Sequence, residues 1–279
     1  MVEDNTAVMT SKALTTVTGM AVFVAALSPS LFAQWPNHPD ASVPRLANGE
    51  VNLNAPAPRT ADGKPDLSGL WQGENAGRGG GPPAEADAPP PAGFRDVGQN
   101  IKGGLPLTPM GQELLKARVA NNSKDNPEAW CLPMGIVQFH TQGAPRKFVH
   151  TPKLLVILYE ASSGIRQIFL DGRKAPTGDP QPWYYGYSTG RWEGDTLVVE
   201  TTHMREDGWL DIIGSPITDA ATITERIRRP TYGRMTIDVT VNDPKAYTKP
   251  WAVRVNQRIM PEQEIIEFIC EENQRFGKQ

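Results

Sequence analysis

The sequence predicts a mainly β protein, an antiparallel meander that closes into a barrel or half-barrel, with one N-terminal helix and an extended Pro/Gly-rich arm. Three observations predict it. From about Ile136 onward the chain is a succession of runs rich in β-branched and aromatic residues: "RKFVH", "LLVILYE", "IRQIFLDG", "GYSTGRW", "TLVVETTHM", "TITERIRR", "RMTIDVTV", "WAVRVNQRI" and "EIIEFICE". The links between them, such as "SSG", "EGD" and "PTYG", are short and made of turn residues, which favours antiparallel neighbours. No helix-period segment interrupts the runs, which argues against parallel βαβ units. Closure follows from the edges: an open sheet of about eight or nine strands leaves unpaired backbone at both sides, and curling removes it.

Taken in order, the chain opens with a targeting pattern over residues 1–33. Lys12 precedes the apolar run "ALTTVTGMAVFVAAL", then "SPSLFA", with Ala33 placed for cleavage before Gln34 and Leu31 two positions earlier. The acidic "MVEDNTAV" does not suit a signal, so Met9 is an alternative start. The run is too short and threonine-rich for a membrane span, and none is expected after cleavage. Residues 34–107 read as an extended, largely irregular arm. "GRGGGPPAEADAPPPAGF" is low complexity and buries too little to fold alone, but Leu67, Leu70 and Trp71 of "DGKPDLSGLW" are candidates to dock on the main domain. That domain, 108–279, begins with a helix. Thr108 is its N-cap, Pro109 its first residue, Leu114, Leu115 and Val119 one face, and Asn121 its end. The only cysteines, Cys131 and Cys270, are expected to form a disulfide in an exported chain, tying the start of the domain to its last strand.

Period-2 alternation assigns strand faces. Met235, Ile237, Val239 and Val241 form one dry face; Trp251, Val253, Val255, Gln257 and Ile259 a second; Ile223, Glu225 and Ile227 a third. Over 196–203 the inward set is either Leu197, Val199, Thr201 and His203 or the opposite register of Val198 and Glu200. Polar residues on dry faces are the candidates for chemistry. An inward Glu225 needs an arginine, a raised pKa or a polar cavity. His203 beside Glu225 or Asp211 would make an acid–base pair, and Gln257 a polar anchor. The competing reading of Glu225 is an ion pair with Arg226, Arg228, Arg254 or Arg258. Loop aromatics Trp183, Tyr184, Tyr185, Trp209, Tyr247 and Trp251 could contact a ligand at the barrel mouth or plug its end. His140, His150 and His203 lack the spacing of a metal motif, and no phosphate loop or nucleophile elbow occurs, so neither metal nor cofactor is expected. A net charge of −3 and a pI near 5.9, without a basic patch, argue against nucleic acid.

The strings "GRWEGDTLVVETT", "DPKAYTKPW" and "CEEN", with "GKPDLSGLW" and "CLPMG" upstream, resemble a family of uncharacterised exported bacterial proteins. The resemblance implies a periplasmic or secreted location and carries no catalytic residue with it. The strand pattern is similar to lipocalin-like (calycin) barrels, an analogy of architecture only. The expected function is binding of a small, partly apolar or aromatic molecule in the lumen or mouth. The alternatives are a lyase, isomerase or hydrolase using the same His/carboxylate pair, and a structural protein whose arm docks on a protein partner.

Overall fold

The computed structural model describes residues 38–74, 87–178 and 180–270; the expected signal segment and the "GRGGG" stretch lie outside them. Nine strands follow one another round a closed barrel: β1 (Gly69–Gly73), β2 (Arg146–Thr151), β3 (Leu154–Tyr159), β4 (Ile165–Phe169), β5 (Tyr187–Glu193), β6 (Thr196–Thr202), β7 (Thr222–Thr231), β8 (Arg234–Asn242) and β9 (Trp251–Ile259). Every strand pairs with its sequence neighbours, and β1 closes the barrel antiparallel to β9. One junction departs from the meander. β4 and β5 run parallel, joined only at Ile168↔Ser188 and Phe169↔Thr189. Parallel neighbours start at the same end, so the link from Leu170 to Gly186 has to travel back along the sheet.

The alternation expected for β7, β8 and β9 is what the barrel shows. Ile223, Glu225 and Ile227, then Met235, Ile237, Val239 and Val241, then Trp251, Val253, Val255, Gln257 and Ile259 are all buried. In β6 the inward register is that of Leu197, Val199 and Thr201, although Val198 is buried as well. The β5–β6 hairpin closes on Gly194 and Asp195, with Gly194 at φ +60°, a conformation glycine takes at no steric cost and one that suits the strand twist. Arg59 clamps this turn, donating to both Asp195 carboxylate oxygens at 2.9 and 2.6 Å.

The barrel begins earlier than expected. Gly69–Gly73, within the stretch read as an arm, is its first strand. Leu67, Leu70 and Trp71 do not merely dock but belong to the core, and the indole of Trp71 donates to the Leu67 carbonyl at 3.1 Å. Once β1 covers the outer edge of β9, no edge is left for another strand. The described part of the expected strand "EIIEFICE", residues 264–269, is accordingly an irregular tail, held by Lys147–Glu264 at 2.5 Å and by Ser163 donating to the Phe268 carbonyl at 3.0 Å. The disulfide Cys131–Cys270 therefore ties this tail, rather than a strand, to the end of the 3₁₀ turn Pro127–Trp130.

Helix α1 (Pro109–Ala120) is capped as its sequence requires, with the Gly111 amide donating to the Thr108 hydroxyl at 3.1 Å. Its apolar face is not the expected one. Only Gly111 is buried, against the Ala246 carbonyl, while Val119 is exposed. A second helix, α2 (Ile136–Thr141), was not legible as such, and every one of its residues is buried. It enters after Gly135, where a Cβ would lie 1.8 Å from the Trp209 carbonyl oxygen. Gly135→Ala is thus expected to destabilise the fold by about 1–3 kcal/mol, because backbone rather than a flexible side chain must yield. A urea midpoint equal to that of the parent chain would contradict that close approach.

Candidate functional site

Polar side chains gather in the lumen around Glu225, which is fully buried. Its place between Ile223 and Ile227 on β7 turns it inward. Arg166, inward on β4 between two outward neighbours, meets it with both terminal nitrogens: Nη1 donates to Oε1 at 3.1 Å and Nη2 to Oε2. Nη2 also donates to Thr201 Oγ1 at 2.9 Å, and Nε to Ser188 Oγ at 3.3 Å. The arginines near Glu225 in sequence are engaged elsewhere. Arg226 pairs with Glu193, Arg228 and Arg254 with Asp238, and Arg258 reaches Gln72. The partner arises from a strand remote in sequence.

The histidine of this cluster is His140 of α2, whose Nε2 lies 2.7 Å from Glu225 Oε1. Arg146 and Gln257 hold the end of the helix in place. Arg146 donates to the carbonyls of His140 and Gln142 at 2.7 Å and of Ala144 at 3.0 Å, and Gln257 Nε2 donates to the His140 carbonyl at 2.8 Å. Buried cationic charge at the helix C-terminus thus meets free carbonyls.

Burial sets the charge states. It is the largest influence on Glu225 and pushes its pKa up, but the Arg166 charge and the hydrogen bonds from His140 and Arg166 outweigh it. The carboxyl is held well below its usual range. Burial lowers His140, with the Arg166 and Arg146 charges adding to it against the opposing pull of Glu225, so the imidazole is neutral. An ionised carboxylate only accepts, so the His140 proton sits on Nε2. Nδ1 is left as an acceptor, is buried, and has no partner. The Tyr159 hydroxyl, kept protonated chiefly by burial, feels the Arg166 charge but makes no hydrogen bond of good geometry; the buried Tyr185 hydroxyl is also unpaired. Rings join them: Phe139 stacks on Tyr159 at 4.1 Å and meets Tyr185 at 5.5 Å.

The neutral His140 has a stability consequence. Its folded pKa lies below the ordinary histidine value of about 6.5, so the unfolded chain takes up a proton that the folded chain refuses. Stability is expected to fall as pH drops below about 6.5, by at most about 1.4 kcal/mol per pH unit. Glu225, depressed in turn, gives up its own contribution only at lower pH. Urea midpoints between about pH 7 and pH 5.5 check this, with His140→Phe flattening the decline.

The other residues singled out from sequence lie elsewhere. His203 does not continue the inward face of β6. The strand stops at Thr202, His203 takes φ +58°, and its Nδ1 lies 2.8 Å from Thr202 Oγ1, its ring edge-on to Trp183. It forms no pair with Glu225 or Asp211. Asp211 is a buried turn cap, accepting from the amides of Val97, Gly214 and Ser215, each at 2.9 Å, and from the Ser215 hydroxyl at 2.6 Å. Trp209, Tyr247 and Trp251 are buried packing residues. Arg118 stacks over Trp209, and the Tyr247 hydroxyl donates to Pro216 at 2.7 Å. Trp183 is exposed, and Tyr185 faces the Phe139–Tyr159 pair. His150 lies 3.6 Å from Asp66, so the three central histidines are in separate places. Among the described residues no group of three or more His, Cys, Asp and Glu is arranged to hold a metal ion, and no helix is long and apolar enough to cross a membrane.

Beside the N-terminal end of α2 lies a cleft. Met134, Ile136, Met204 and Ile217 line it, with Tyr184, and with Arg205 and Asp207 at one side. Arg205 pairs with Asp207 at 2.8 Å and sits over the Tyr184 ring. The cleft has a cavity volume of about 30 Å³. It is a narrow slot in an apolar wall. No family model, curated protein or solved structure matches this chain.

Proposed function

We propose that this protein is an exported β-barrel that binds a small, partly apolar molecule at the cleft beside α2. The observation that carries this reading is the cleft's lining: five aliphatic or thioether side chains, Leu132, Met134, Ile136, Met204 and Ile217, and one aromatic face, with a single ion pair. Sites for small organic molecules take that form, an apolar slot with a few polar groups that fix orientation. The disulfide supports an oxidising compartment, periplasmic or secreted. Membership of the exported bacterial family rests on the sequence motifs. Binding is tested with the fluorescent probe anilinonaphthalene sulfonate. Leu132 and Tyr184 border the cleft and are 39% and 40% exposed, so Leu132→Asp/Tyr184→Asp should fold. That variant is expected to weaken binding by about tenfold or more, which corresponds to about 1.4 kcal/mol. Equal affinity of the two proteins would remove the cleft from consideration.

The enclosed His140–Glu225 contact favours a second reading, an acid–base enzyme of the lyase, isomerase or hydrolase class. In it His140, not His203, takes the histidine role, oriented by Glu225 and presenting Nδ1.

A further inference from the structure

The cleft wall and the lumen cluster draw residues from the same two segments. Ile136 lines the cleft, and Phe139, one helical turn later, lies inside; Tyr184 lines the cleft, and Tyr185 lies inside. Among the fully buried polar atoms of the cluster that lack a hydrogen-bond partner are one acceptor, His140 Nδ1, and two donors, the hydroxyls of Tyr159 and Tyr185. Native interiors satisfy nearly all such atoms, and leaving them unpaired is costly. The two hydroxyls are borne by rings of the Phe139–Tyr159–Tyr185 stack, and His140 follows Phe139 in the chain. Tyr185 can yield: its ring is only half-buried, and its hydroxyl rests where Gly164 carries no side chain, an added Cβ there falling 2.5 Å from it.

From this we propose a polar recognition subsite behind the cleft for a flat, hydroxylated ring, a phenol being the simplest member of the class. The ligand's O–H donates to His140 Nδ1, its oxygen accepts from a tyrosine hydroxyl, and its ring lies against Phe139 once Tyr185 swings aside. The inference rests on the cleft reading, because the cleft is the way in. It differs from that reading in demanding a hydrogen-bond donor on the ligand. A site built around unpaired polar atoms rejects an isostere that lacks the matching group far more strongly than an apolar slot does.

The test compares p-cresol with toluene on the full-length chain by calorimetric titration. Wild type is expected to bind p-cresol at least about tenfold tighter than toluene, and His140→Phe to bind the two alike. Should that variant not fold, the ¹⁵N resonance of His140 Nδ1 in the wild type gives a second readout. It is expected to move on adding p-cresol and to stay in place with toluene. Equal wild-type affinities with an unmoved resonance overturn the subsite. If both probes then bind and both are lost in Leu132→Asp/Tyr184→Asp, the cleft reading survives alone. If neither binds the wild type, both proposals fall.

Discussion

Arg166→Met is expected to destabilise the protein by about 3–5 kcal/mol, the cost of leaving one member of a buried ion pair without the other. The magnitude follows from burial: Arg166 and Glu225 are 1% and 0% exposed, so water cannot replace the lost guanidinium. Glu225→Leu alone is expected to cost a similar amount, stranding the arginine instead. The double variant should recover most of the loss, since an apolar pair of similar volume does not have to be desolvated. Chemical denaturation of the four proteins closes a double-mutant cycle, and a coupling energy below about 1 kcal/mol would show the pair to be energetically loose. His140 adds a marker. Without Arg166 the charge disfavouring its protonation is reduced while Glu225 remains, so its folded pKa rises toward the unfolded value and the decline in stability below about pH 6.5 should become smaller.

The second large effect is expected from Cys131→Ser/Cys270→Ser. The bridge joins positions 139 residues apart, and removing it frees the unfolded chain by about 2–5 kcal/mol. The loss should also show a local signature. The tail from Glu262 to Ile269 is irregular, and Cys131 is followed directly by the Leu132–Ile136 wall of the cleft. Amide exchange is expected to accelerate in the tail and in that wall before it does in β7 and β8. A reducing agent should lower the melting temperature of the parent chain and leave the serine variant unaffected. Parallel shifts in both would assign the effect to something other than the bridge.

Most of the barrel was legible because alternation is a local property. Met235–Val241 and Trp251–Ile259 each state their inward face within one strand, and Glu225 announces itself as the carboxylate on such a face. What surrounds Glu225 was not legible, for three separate reasons. Arg166 lies in "IRQIF", where Arg166 with Ile168 and Ile165 with Gln167 are equally good inward pairs; only the neighbouring strands decide. His140 lies in "IVQFH", too short to show helical periodicity and buried on all sides, so the mostly apolar run carries no face. His203 was drawn into the site by carrying the β6 alternation one residue too far, past a backbone reversal at positive φ that no glycine marks. The strand Gly69–Gly73 was hidden in a proline-rich neighbourhood, although its tryptophan was already a candidate for burial. The tail 262–269 shows the reverse error: a good strand sequence remains unpaired when every edge is taken.

The parallel contact between β4 and β5 has a consequence in the parity of the barrel. Each antiparallel pairing reverses chain direction, and a closed ring needs an even number of reversals to return to its starting sense. Nine strands meet in nine pairings, so a ring with every pairing antiparallel cannot close. One same-sense pairing leaves eight reversals, and the ring closes. With β1 and β9 antiparallel, the same-sense pairing falls between consecutive strands, so the link between them has to run back along the barrel instead of turning tightly. Here that link is the segment ending in Tyr184, Tyr185 and Gly186. Tyr184 and Tyr185 are thus carried by a connection that the parallel pairing does not allow to turn tightly.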